Sequence, residues 1–144
     1  MRILLAFFFF VFSCQITAQE TTKSRRAAKA YREAKSAVAI QEYNRAKVFL
    51  KEALILDDRF VEAWILLGDV SIGLGDKQSG IEAYRKSIPI APRFSFPMYY
   101  RLANAEHSLG DYSEALQHIR KYLSSKKISE KYRKKANALK KSCE

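Results

Sequence analysis

The chain has 144 residues with 26 Lys and Arg against 15 Asp and Glu, a formal charge of +11, and only two cysteines and two histidines. That length suits one compact domain. So few cysteines and histidines, in no metal-ligand spacing, exclude a disulfide scaffold and a Cys/His metal centre.

The first segment, MRILLAFFFFVFSCQITAQE, places one cation, Arg2, before ten apolar residues from Ile3 to Phe12, followed by a polar stretch ending at Ala18. Ten helical residues span about 15 Å, half of a hydrocarbon core, which is too short for a transmembrane anchor. The pattern is that of a secretory signal peptide over 1–18 with mature Gln19. A second export reading takes Val11-Phe12-Ser13-Cys14 as a lipobox with Cys14 acylated. Cleavage at Ala18 takes the charge from +11 to +10, because Arg2 is the one charged residue removed, and leaves Cys143 as the only cysteine.

The basic excess sits at the two ends. Lys23, Arg25, Arg26, Lys29, Arg32 and Lys35 face Glu33; Lys126, Lys127, Lys131, Arg133, Lys134, Lys135, Lys140 and Lys141 face Glu130 and Glu144. Such runs are solvated faces or contacts with an anionic membrane surface or an acidic partner. No stacking aromatics interleave the cations, and export removes the chain from nucleic acid, so no nucleic-acid partner is expected.

Between the ends, apolar periodicity predicts helices over 26–39, 43–56, 61–73, 77–89, 96–109, 112–124 and 129–141. Self-similarity organises them. The turns Gln41-Glu42-Tyr43, Gly75-Asp76-Lys77 and Gly110-Asp111-Tyr112 are spaced by 34 and 35 residues. In matching registers follow Ala46, Gly80 and Ala115, then Leu50, Tyr84 and Ile119, then Ala53, Ser87 and Tyr122. Upstream, Ala34, Gly68 and Ala103 share a register, preceded by Glu33, Leu67 and Leu102, with Ala30, Trp64 and Tyr99 three positions before those. Small residues at equivalent sites of successive helices let backbones approach, and the larger ones fill the groove. Each unit is therefore expected to be an antiparallel helix pair. Gly75 and Gly110 suit a left-handed residue closing the first helix, and Asp76, Asp111 and Ser129 stand where they can cap the next. Pro92 is expected to close the second pair, and Trp64 to be substantially buried within it. His107 and His118 read as ordinary helix residues.

These registers resemble the tetratricopeptide repeat (TPR) family, whose signature is Trp, Leu-Gly, Tyr, Ala, Phe, Ala and Pro. The second unit carries Trp64, Leu67-Gly68, Tyr84 and Pro92, with Gly80 and Ser87 at small sites; the first keeps Ala34, Tyr43, Ala46, Leu50 and Ala53, and the third Tyr99, Leu102-Ala103, Tyr112 and Ala115. The resemblance implies an all-α chain, an α-solenoid of three helix pairs plus a C-terminal capping helix, preceded by the signal peptide. Its divisions are a signal peptide at 1–18, a linker at 19–26, repeats at about 27–60, 61–94 and 96–128, and a solvating helix at 129–144. It further implies a concave groove lined by Tyr31, Lys35 and Val38, by Glu62, Ile65, Asp69 and Ile72, and by Tyr100, Asn104 and His107. Such a groove suits a peptide or helix of a partner protein. The subtype that clamps a C-terminal carboxylate is not matched: Tyr31 and Lys35 replace its Lys and Asn, and Asp69 would repel the ligand. The order of signal, repeats and basic helix is also similar to the N-terminal part of Gram-negative envelope proteins that continue into a β-propeller and an OmpA-like domain, some serving gliding motility or secretion. No nucleophile–base pair, phosphate loop or ligand cluster is present, so neither catalysis nor a cofactor is expected. The functional expectation is an exported, non-enzymatic adaptor in the periplasm or at the periplasmic face of the outer membrane, bound to another envelope protein. The alternative is a peripheral or lipid-anchored assembly factor held through its basic ends or Cys14.

Overall fold

A computed structural model describes residues 22–92 and 95–144; the expected signal peptide, Cys14 and residues 19–21 of the expected linker lie outside the described residues. The described chain is helical, with α1 (Arg25–Ala39), α2 (Tyr43–Leu56), α3 (Val61–Gly73), α4 (Lys77–Ile90), α5 (Ser95–His107), α6 (Tyr112–Leu123) and α7 (Glu130–Ser142) in chain order. No strand occurs among the described residues. The main packing partners are α1 with α2, α3 with α4 and α5 with α6, and each pair then contacts the next through α2–α3, α4–α5 and α6–α7.

One turn is built three times. Gln41, Gly75 and Gly110 have φ of 61°, 82° and 87°. The amide of each donates to a carbonyl three residues back, and the next amide donates to Ala37, Ser71 or Glu106 at 2.9, 2.9 and 3.0 Å. These bonds satisfy the carbonyls left open at a helix end. Glycine takes this backbone without strain; Gln41 carries a Cβ into it. The caps are less uniform than expected. Asp76 accepts from the Ser79 amide at 3.1 Å, whereas Asp111 and Ser129 occupy cap positions without a side-chain capping bond. Lys47, bonded to Asp76 at 3.0 Å, and the hydroxyl and amide of Ser79 hold the Asp76 carboxyl at about 2. A lowered carboxyl pKa supports the fold above its unfolded value near 4, and that support is lost as pH falls through about 2.

Small residues set the helix spacing. Ala34, Ala46, Ala53, Ala103 and Ala115 are fully buried. A Cβ added to Gly68 would lie 2.3 Å from the Tyr84 ring, and one on Gly80 would lie 2.6 Å from Ile72 and 3.1 Å from the Gly68 carbonyl oxygen. The α3 and α4 backbones therefore meet almost directly. Larger residues fill the spaces between pairs: Leu50, Phe60 and Leu67 in the first cluster, Ile81, Tyr84 and Leu102 in the second, Ile119 and Tyr122 in the third. Trp64 is less enclosed than expected. It is half-buried against the first cluster, its indole N–H donating to the Asp58 carbonyl at 2.7 Å, while Phe60 is the fully buried aromatic. Pro92 stands two residues beyond the end of α4, which itself runs through Pro89 in its last turn.

Glu106 on α5 is fully buried, with Oε1 accepting from Arg85 of α4 at 2.7 Å and Oε2 2.6 Å from Nδ1 of His118 on α6. His118 also stacks on Tyr99, with centroids 5.9 Å apart. It is therefore a bridging residue rather than an ordinary helix position. A buried carboxylate is tolerable only with such partners, so this one joins three helices. At the C-terminus, α7 buries Ala136 and uses Arg133 to donate to the Leu123 and Ser125 carbonyls at 3.3 and 3.1 Å, closing the end of α6. Cys143 is a free, partly buried thiol that burial pushes above its usual range.

Gly68→Ala separates packing from helix propensity. Propensity alone would stabilise the chain by about 1 kcal/mol, whereas overpacking costs about 1–3 kcal/mol. Urea denaturation is expected to show a net loss; a net gain would mean that α3 and α4 are not in this contact.

Candidate functional site

The groove grows out of the spacing just described. With α3 and α4 in near contact, α5 packs against α4, and an open depression of about 380 Å³ is left between the three helices, lined by Ile72, Lys77, Tyr84, Tyr100, Arg101, Asn104, Ala105 and Ser108. A second, of about 710 Å³, lies between α5, the end of α6 and α7, lined by Phe96, Pro97, Tyr100, Arg101, Tyr122, Ser125, Lys127, Ile128, Ser129 and Tyr132. The two share Tyr100 and Arg101 and so adjoin along α5.

Electrostatics at their junction runs through Asp69. Its Oδ1 accepts from the Tyr84 hydroxyl at 2.6 Å and from the Arg101 guanidinium. Burial pushes the Tyr84 hydroxyl up, and Asp69 beside it pushes further, so Tyr84 remains a donor. Burial works against the Arg101 charge, but Asp69 outweighs it and the net shift is upward. The acid expected to repel a carboxylate is thus already ion-paired with Arg101 at the partly exposed junction. The absence of the clamp's Lys and Asn at Tyr31 and Lys35 is unaffected by this pairing.

Of the residues expected in the groove, Ile72, Tyr100 and Asn104 come together in the first depression, and Asp69 holds its wall. The others are dispersed. Tyr31 packs on Phe60, with ring centroids 4.8 Å apart, and Lys35 lies over the Tyr31 ring at 4.7 Å. Val38 leans on the first core cluster and Ile65 on the second; Glu62 is half-buried; His107 meets Tyr112 edge-on at 5.2 Å. Arg101, Phe96, Tyr122 and Tyr132 were not anticipated. Arg101 follows a groove position directly and stands 32 residues after Asp69, one repeat less two, which is the signal that could have paired them. Among the described residues, no group of three or more His, Cys, Asp and Glu could hold a metal ion, and no helix is long and apolar enough to cross a membrane.

Comparison with known proteins fits this geometry. The tetratricopeptide repeat family matches residues 61–94 and 96–128. No curated protein matches the sequence. Among solved structures, the first TPR of Spaghetti (RPAP3) bound to an HSP90 peptide, SRMEEVD, is similar at a TM-score of 0.74 and 11% identity, over 84% of this chain and 95% of that one. The Yersinia enterocolitica type III secretion chaperone SycD, in complex with a peptide of the translocator YopD, gives 0.73 and 14%, over 83% and 93%. The Arabidopsis OM64 TPR domain gives 0.69 and 21%, over 82% and 93%. At these identities the likeness establishes the fold.

Asp69→Asn keeps an acceptor for Tyr84 but removes the charge opposite Arg101. With both partners partly exposed, the expected cost is about 0.5–1 kcal/mol in urea denaturation; a gain in stability would mean that the Asp69 charge does not help to hold α3 and α5 together.

Proposed function

We propose that this chain of tetratricopeptide repeats is a non-enzymatic protein-interaction adaptor that takes a peptide or helix of a partner protein along α5. The observation that carries the reading is the pair of adjoining open depressions on either side of that helix, both using Tyr100 and Arg101. Apolar and aromatic walls with a few fixed polar groups are the usual composition of a peptide groove. Two of the similar structures hold peptides: one of HSP90 in Spaghetti and one of YopD in SycD.

We place the adaptor in a bacterial envelope, exported to the periplasm or the periplasmic face of the outer membrane, with another envelope protein as its partner in an outer-membrane, secretion or gliding-motility assembly. This part of the proposal rests on the apolar run of residues 3–12 and on the order of segments along the chain.

Asn104 is exposed and lines the first depression, so Asn104→Arg can block the groove without emptying a core. The variant is expected to keep its melting temperature and to lose its co-purified partner by about tenfold or more, the scale of a central interface contact. An unchanged partner at unchanged affinity would refute groove binding.

A further inference from the structure

The depression between α5, α6 and α7 is not chemically neutral. Four rings face it, those of Phe96, Tyr100, Tyr122 and Tyr132, with Ile128 beside them. Tyr100 and Tyr122 pack at 5.2 Å with a 43° tilt, giving the wall a fixed shape. Phe96 remains 39% exposed and Tyr132 50%, so two large rings stand in water around one concavity. A single exposed ring needs no explanation, but rings that converge on a pocket mark a binding site.

The edge of this pocket is cationic. Lys127 lines it, with Lys126 and Lys131 flanking in the connection to α7 and in its first turn, beside the exposed Glu130; Arg101 lines it too, its charge paired with Asp69. Among the described residues, no carboxylate lies within ion-pair distance of Lys126, Lys127 or Lys131. An aromatic wall alone would accept a ligand cation, and these lysines argue against one. The rings enclose a single pocket rather than forming a row of stacking platforms, which argues against single-stranded nucleic acid. What remains complementary is an apolar side chain with negative charge close by.

We propose that this pocket takes one aromatic or long aliphatic side chain of an acidic partner segment, held against Phe96, Tyr100, Tyr122 and Tyr132 with its flanking carboxylates toward Lys127. The inference rests on the reading of α5 as a partner-binding helix and adds what the partner must carry: an apolar anchor flanked by Asp or Glu. The anchor contributes affinity, since burying one such side chain is worth about ten- to a hundredfold in binding. The lysines contribute encounter rate and selectivity against basic segments.

The test uses the full chain and three fluorescein-labelled peptides on a glycine–serine background. One carries a phenylalanine between paired aspartates, one has that phenylalanine replaced by alanine, and one has the aspartates replaced by lysines. Fluorescence anisotropy should show binding of the first that weakens about tenfold or more for each of the others. Tyr132→Ala and the double variant Lys127→Glu with Lys131→Glu should each weaken the first peptide to a similar degree. These residues are exposed, so unchanged circular-dichroism melts identify a local effect. Equal binding of all three peptides, or insensitivity to both variants, overturns the proposal. Binding to vesicles of phosphatidylglycerol but not phosphatidylcholine, abolished by the lysine variant and unaccompanied by peptide binding, overturns it in favour of a membrane-facing surface. If Asn104→Arg abolishes partner capture while Tyr132→Ala leaves it intact, the groove reading stands and the acidic-anchor inference falls. If neither variant alters capture, both fall.

Discussion

At the crossing of α3 and α4 there is no space for a side chain: a Cβ on Gly68 would sit 2.3 Å from the Tyr84 ring, and Gly80 would strike Ile72 in the same way. Because the helices come this close, the Tyr84 hydroxyl passes across the pair and reaches Asp69, which in turn holds Arg101 on α5. A contact inside one repeat thereby sets the position of the next. The depressions on either side of α5 are what is left once these distances are fixed. A larger residue at the crossing would displace Tyr84, and with it the hydrogen bond that holds Asp69 opposite Arg101.

The register of Ala37, Ser71 and Glu106 shows how identical backbones carry different chemistry. All three positions are buried, and their carbonyls accept the same turn bond. Their side chains diverge. Ala37 simply packs, Ser71 has a buried hydroxyl without a hydrogen-bond partner among the described residues, and Glu106 recruits Arg85 and His118. The third repeat is thus tied to the second by charge as well as by apolar packing. Below it, α7 covers the exposed side of α6 with Ala136 and closes its end with Arg133. Tyr132, from the first turn of α7, lines the aromatic pocket.

The helices and turns were legible in the sequence because small residues and turn formers repeat in register, and those positions answer to backbone geometry. Gly75, Gly110 and Asp76 perform the roles their types suggest. Side-chain partnerships between repeats were less legible. Asp69 looked like a groove acid because its position on α3 is known from the period, but its ion pair depends on Arg101, whose reach no period encodes. Glu106 could have been flagged: an acid in a register occupied by Ala37 and Ser71 must find partners when buried. His118 and Arg85 supply them from separate helices, which only packing reveals. The aromatic pocket was missed for a similar reason. Phe96, Tyr122 and Tyr132 come from three helices and converge where the last repeat meets α7. Trp64 was overestimated, since an indole at that register can keep an edge in water once Phe60 fills the space beside it.

The central claim is that a partner lies along α5 rather than on the outer helices. The most direct measurement is position-specific photocrosslinking in the intact cell, with a photoreactive residue at Asn104 in the groove or at Val48, which is 65% exposed on α2. The account predicts that one discrete protein crosslinks from Asn104 and is not captured from Val48. Capture of that protein from Val48 but not from Asn104 would contradict it.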